Sequence, residues 1–166
     1  MRIHIATDHA GLDFSRTLQQ HLAEAGHEVI DHGPVAYDAL DDYPSFCINA
    51  ARAVVRDQRS GVEALGVVFG GSGNGEQIAA NKVEGVRAAL VWNDSTAELA
   101  REHNDANVIS VGARQHSEEE LEALIDLFLA EPFSGEERHQ RRIDLVARYE
   151  TTGGYSEDQG AGADAR

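Results

Sequence analysis

Glu76 stands directly behind the run Gly70-Gly71-Ser72-Gly73-Asn74-Gly75, so a carboxylate follows a loop with four glycines in six positions. An apolar stretch from Leu65 to Phe69 leads into the loop, and a helical pattern around Gln77 to Lys82 leads out of it. Glycines let backbone N–H groups turn toward an anion, and a helix start adds partial positive charge. Such a loop can hold a phosphate or stabilise an oxyanion. A carboxylate next to an anion hole is what proton abstraction alpha to a carbonyl requires, which makes Glu76 a candidate general base. Its place near a helix start favours the ionised form, and burial by substrate is expected to push its pKa up.

Familiar glycine motifs do not account for the loop. A P-loop would carry Lys after Gly75, and this chain has Glu76, the opposite charge. Gly71, Gly73 and Gly75 are spaced GxGxG, which misses the dinucleotide fingerprint GxGxxG. The GxSxG elbow of serine hydrolases is absent as well. The plain alternative is a tight strand-to-helix turn that needs glycine.

Three other places carry chemistry. Asp8-His9-Ala10-Gly11 puts a carboxylate beside an imidazole, able to bind hydroxyls or move protons, or simply to cap a helix. His103-Asn104 ends an apolar-faced helix, where His suits the dipole and Asn suits a left-handed cap. Arg138, Arg141, Arg142 and Arg148 crowd the last helical segment, and Arg138 and Arg142, four apart, share a face. Cys47 is the only cysteine and sits on an apolar helical face, as a small hydrophobe does. Asp31-His32 near Asp38, Asp41 and Asp42 is a weak acidic cluster without metal-ligand spacing, so no metal is expected.

The elements that position these residues alternate. Ile3 to Ala6, His27 to Asp31, Leu65 to Phe69, Arg87 to Trp92 and Val108 to Val111 read as five short strands. Between them lie helical patterns: Phe14, Leu18 and Leu22 up to a stop at Gly26, Tyr43 to Arg56, Gln77 to Lys82, and a helix capped by Asp94 or Ser95 running to His103. Ser117 with Glu120 reads as a capping box for the next helix, and Ser134 with Glu137 starts a last helix to about Glu150. Strand–helix alternation implies an α/β fold, a parallel sheet with helices on both faces and ligands at the carboxyl ends of the strands. Asp8, His9, the glycine loop and Arg114 fall at that edge. His103 and Asn104 precede the last strand, so their reach to it is open.

The 166 residues suit one domain, residues 1–150, with a low-hydrophobicity tail over 151–166 expected to be disordered. Net charge is −15, which argues against nucleic acid and anionic membrane as partners. Lys82 is the only lysine, so positive charge rests on arginine, whose planar fork suits phosphate. No signal peptide or spanning segment is visible, and a cytoplasmic setting is expected.

In linear order, ATDHAG from Ala6, DDYP from Asp41, GGSGNGEQIAANK from Gly70, REHNDAN from Arg101, VGAR from Val111 and ERHQRRID from Glu137 resemble the type B ribose-5-phosphate isomerases. That family is shared with the galactose-6-phosphate isomerase subunits, and the resemblance spans about residues 1 to 150. It implies a Rossmann-like five-stranded parallel sheet and a homodimer, or a dimer of dimers, whose C-terminal helix packs on a partner subunit and whose sites draw on both subunits. It implies cofactor-free interconversion of ribose 5-phosphate and ribulose 5-phosphate, a pentose phosphate pathway step, through ring opening and an enediolate. By matching position Glu76 moves the proton, His103 donates at ring opening with help from Asp8, and Ser72 relays a hydroxyl proton. Gly71, Ser72, Gly73, Asn74 and Gly75 stabilise the enediolate, Asn104 contacts sugar oxygens, and Tyr43 lines the pocket. His9, Arg114, Arg138 and Arg142 hold the phosphate. Many members have a catalytic cysteine at the position of Gly70 and no carboxylate at that of Glu76, so this chain resembles a glutamate branch in which Cys47 cannot substitute. A six-carbon sugar phosphate as substrate, and a non-catalytic nucleotide- or metabolite-binding module on the same loop, remain open as alternatives.

Overall fold

The computed structural model describes residues 1–154. Five strands, β1 (Arg2–Thr7), β2 (Glu28–Asp31), β3 (Ala64–Gly70), β4 (Ala88–Leu90) and β5 (Val108–Gly112), form one sheet in the order β2-β1-β3-β5-β4. Every pairing is parallel. The central strand β3, ALGVVFG, is buried at each of its positions, as a strand covered on both faces must be.

Five helices cover the sheet, α1 (Leu12–Glu24), α2 (Tyr43–Arg59), α3 (Asn74–Ala80), α4 (Asp94–Asn104) and α5 (Glu118–Ala130), and a further described helix, α6 (Glu137–Thr152), packs against α4. Phe14, Leu18 and Leu22 of α1 pack with Ala97 and Ala100 of α4 and with Leu121, Ile125 and Phe128 of α5 on one face. Cys47, Ala50, Ala51 and Val54 of α2 and Ala79 and Ala80 of α3 build the other core. The parallel sheet with helices on both faces is therefore as the alternation predicts. Edge strand β4 is only three residues long, and the Asn81 side chain bonds both the N–H (2.8 Å) and the carbonyl (2.9 Å) of Ala88, occupying part of its free ladder.

Several boundaries differ for visible reasons. The α4 cap is Asn93, not Asp94 or Ser95, because the Asn93 side chain accepts from Thr96 N–H while Thr96 answers with its hydroxyl. The left-handed residue closing α4 is Asp105 (φ 43°), not Asn104, which stays helical. Ser117 and Glu120 do form the capping box of α5. Ser134 does not cap α6; its hydroxyl lies 2.7 Å from His139 Nδ1, and Glu136 takes the cap position. Helix α3 starts at Asn74, three residues earlier than Gln77, so the glycine loop and the helix overlap. Of the tail predicted from residue 151, Thr151 and Thr152 continue α6, and residues 155–166 lie outside the described residues.

Gly73 joins loop to helix with φ +79°, and a Cβ there would come within 2.9 Å of the Val111 carbonyl. Gly73→Ala should therefore lose about 2 kcal/mol or more, since the left-handed conformation alone costs an L-residue about 1–2 kcal/mol. Urea unfolding checks this, and a parent-like midpoint would contradict the tight seating of the loop.

Candidate active site

The carboxyl edge of the sheet gathers most of the candidate residues. Where β1 ends, the Asp8 side chain accepts the Ala10 N–H (2.9 Å) and caps a 3-10 turn over His9–Gly11. The capping reading of Asp8 holds, while the His9 ring lies against Asp41 and not free in solvent. The end of β5 clamps the glycine loop. Ala113 N–H donates to the Gly70 carbonyl (2.7 Å), Arg114 N–H to that of Gly71 (3.2 Å), and the buried Ser110 hydroxyl to that of Gly73 (2.7 Å). The Arg114 side chain lies over Gly71, with Nη1 3.6 Å from where a Cβ would be. Tyr43 packs on Gly75 so closely that a Cβ there would sit 2.5 Å from its hydroxyl oxygen. Ser72 is exposed, and its hydroxyl accepts from the Asn74 backbone (3.4 Å) and side-chain amide (3.2 Å).

Glu76 lies beneath this loop and is only 4% exposed. Its carboxylate rests on Gly70 Cα: a Cβ at position 70 would collide with Glu76 Oε1. Burial raises the Glu76 pKa, the Asp8 carboxylate adds to the rise, and its own backbone N–H opposes it. The helix start does not dominate, contrary to the sequence expectation; desolvation outweighs it before any substrate arrives. Folding thus shifts Glu76 toward the protonated acid relative to the unfolded chain. The stability this contributes is complete below the ordinary carboxylate value and is lost as pH rises through the raised one.

Cys47 is fully buried on α2, and burial, followed by the charges of Glu76 and Asp8, pushes its thiol up to about 12. A thiol held in that form is a poor nucleophile. Cys47 is a packing residue, as its helical face predicts.

The remaining candidates lie elsewhere in the chain. Helix α4 runs from the carboxyl end of β4 back to the amino end of β5, so His103 and Asn104 sit at the opposite edge of the sheet from Glu76. The five residues of β5 alone separate the two edges by roughly 16 Å. Asn104 lines a groove with Arg87, Ala88, Arg142 and Val146, and the His103 ring stacks at 4.1 Å on that of His139. Arg138 and Arg142 are exposed on α6, with Arg138 Nε donating to Glu136 (2.7 Å). Within one chain the candidates form two groups: Asp8, His9, Tyr43, Gly71–Glu76 and Arg114 in one, His103, Asn104, Arg138 and Arg142 in the other.

Two polar residues in these groups carried no role in the sequence reading. His139 is 1% exposed between Ser134 and His103, and burial lowers its pKa, with His103 and Arg138 adding to the effect. Asp41 leaves the acidic cluster of Asp31, Asp38 and Asp42 to join Asp8 and His9, whose potential ligand atoms and its own lie within 4.8 Å of one another. Each stands inside a motif, ERHQRRID or DDYP, and that was the only signal available.

A buried carboxylate against a glycine-rich loop, on the carboxyl edge of a parallel sheet, marks this α/β protein. Residues 3–146 match the model of the Ribose/Galactose Isomerase family. The chain is 53% identical over 152 residues to ribose-5-phosphate isomerase B of Mycobacterium tuberculosis, covering 92% of this chain and 91% of that protein. Its structure is similar to that of the Trypanosoma cruzi type B ribose 5-phosphate isomerase (TM-score 0.84, 42% identity, 92% and 98% covered). It is equally similar to the Mycoplasma genitalium ribose-5-phosphate isomerase B with bound ribulose-5-phosphate (TM-score 0.84, 42% identity, 91% and 97% covered). The chain belongs to the Ribose/Galactose Isomerase family.

Gly70→Ala tests the seat of Glu76. The added methyl must displace the carboxylate, and a misplacement of about 1 Å can cost about 100-fold. A fall of that order in kcat with a retained fold is expected; a parent-like kcat would mean that Glu76 does not act from this position.

Proposed function

We propose that this chain interconverts D-ribose 5-phosphate and D-ribulose 5-phosphate, with residues 1–150 as one catalytic domain. The observation that carries the reading is the buried Glu76 carboxylate on Gly70, raised in pKa beside the glycine loop. The names of the relatives and the sugar bound to the M. genitalium protein point to the same pentose phosphate pair. A base whose pKa moves from the ordinary carboxylate range toward neutrality removes a carbon-bound proton more readily and still ionises at working pH.

His9, Arg114, Arg138 and Arg142 hold the phosphate, Tyr43 lines the pocket and Asn104 contacts the sugar oxygens. His103, with Asp8, serves ring opening to the free aldehyde. Glu76 then takes the proton from C2 and returns it to C1, while Ser72 relays the hydroxyl proton between O2 and O1. Backbone N–H groups from Gly71 to Gly75 face the enediolate oxygens; such donors contribute about 3–4 kcal/mol each. Proton transfer of this kind uses only groups of the protein.

The active form is a homodimer in which His103, Asn104, Arg138 and Arg142 of one copy meet Glu76 of the other. The separation of the two groups supports this, as does the exposure of Val146 and Tyr149 on α6, a helix with one buried residue of its own. A cytoplasmic setting suits a phosphorylated sugar, which does not cross a membrane unaided. No helix among the described residues is long and apolar enough to span one.

Glu76→Gln keeps the shape of the side chain and removes the base. Its kcat on ribose 5-phosphate should fall at least a few hundred-fold, within the usual ~10²–10⁴ of general base catalysis. Near-normal turnover would remove Glu76 from the mechanism.

The shared site makes a further prediction. Glu76→Gln mixed with the inactive double variant Arg138→Ala/Arg142→Ala should regain about a quarter of parent activity at random pairing, since each mixed dimer keeps one intact site. Demonstrated mixed dimers without activity would place the arginines in the same chain as the base they serve, or outside the site.

A further inference from the structure

Asp41 is placed unlike its neighbours. Leu40 and Asp42 are exposed, yet the Asp41 side chain is only 9% accessible. Its Oδ1 accepts two bonds from one residue, the backbone N–H of His9 at 3.1 Å and the ring Nδ1 of His9 at 2.7 Å. Its Oδ2 is buried with no partner among the described residues. All of the hydrogen bonding of this side chain is thus directed at His9. The Tyr37 ring also meets the imidazole edge-on, with centroids 5.8 Å apart, so two residues of the segment between β2 and α2 contact His9.

A carboxylate can only accept, so Nδ1 must carry a proton, and Nε2, which has no partner among the described residues, becomes a donor to an anion when the ring takes its second proton. Free imidazole prefers its neutral proton on Nε2, so the contact imposes the less common tautomer. From this geometry we propose that Asp41 is a positioning residue: it accepts from His9 Nδ1–H and so orients the ring for Nε2, carrying the second proton in the bound state, to donate to the substrate phosphate. The proposal rests on the reading of His9 as a phosphate ligand. It explains why a buried acid stands in a pocket that receives an anion: the imidazole lies between the two and keeps the carboxylate off the phosphate.

The test uses the full chain with ¹⁵N-labelled histidine, the His9 signals being assigned by their loss in His9→Asn. The parent should show His9 protonated on Nδ1 in the neutral ring. Asp41→Ala should shift it toward the Nε2–H tautomer, and Asp41→Asn, whose amide oxygen can still accept, should restore Nδ1–H even if the alanine variant folds poorly. Inorganic phosphate as a competitive inhibitor gives the second readout. Its inhibition constant should rise roughly ten-fold in Asp41→Ala, as for loss of a hydrogen bond to a charged group. KM should rise far more than kcat falls, and the double variant with His9→Ala should bind phosphate no worse than His9→Ala alone. An Nε2–H tautomer of the neutral ring in the parent would overturn the proposal. So would an Asp41→Ala penalty of the same size whether or not His9 is present. Unchanged phosphate affinity in His9→Ala with the tautomer shift intact would count against His9 as the phosphate ligand and leave the hold of Asp41 on the ring standing.

Discussion

The Glu76 carboxylate and a side chain at position 70 compete for one volume. A Cβ at position 70 would meet Glu76 Oε1, so the carboxylate is seated only because residue 70 is glycine. The surrounding contacts serve that seat. Ser110, Ala113 and Arg114 hold the carbonyls of Gly73, Gly70 and Gly71 from the end of β5. With the loop fixed from the sheet side, α3 begins at Asn74 and carries Glu76 back beneath it. A side chain at position 70, a cysteine included, and a carboxylate seated as that of Glu76 therefore exclude each other.

Burial then decides the electrostatics. A helix start attracts negative charge by a few tenths to about 1 kcal/mol at an exposed site. Desolvation of a nearly inaccessible carboxylate works in the other direction and wins here, with Asp8 adding repulsion. The same environment silences Cys47, whose thiol is held far from ionisation. One apolar floor under the loop therefore raises the pKa of the carboxylate and of the thiol together, which strengthens the first as a base and disables the second as a nucleophile. Of the arginines proposed to hold the phosphate, Arg114 lies over Gly71 and Arg138 and Arg142 lie on α6, and none of them forms an ion pair with Glu76 among the described residues.

Much of this was legible in the residues. The alternation of apolar strands with periodic helices gave the sheet and both helical layers, because burial on two faces demands that pattern. The glycine loop and Glu76 were legible for a chemical reason: few other uses exist for four glycines followed by an acid. Helix caps were less so. Asn93, Asp94 and Ser95 are all good caps, and only the answering hydroxyl of Thr96 selects Asn93. Ser134 looked like a cap and instead bonds His139, a partner five residues on that local patterns do not weigh. Asp41 was hidden among neighbouring acids, since its distinction is a long-range contact to His9. The division of the candidates into two groups follows from strand order, which the spacing of motifs along the chain does not carry.

The central claim is that the Glu76 carboxyl is raised in pKa by its seat before any substrate binds. A pH titration of ¹³C-labelled glutamate side chains, with Glu76 assigned by its loss in Glu76→Gln, measures this directly in the ligand-free protein. The account predicts a midpoint clearly above the ordinary glutamate value of about 4.3. A midpoint at or below that value would mean that the helix start and the loop N–H groups outweigh burial, and would contradict the account.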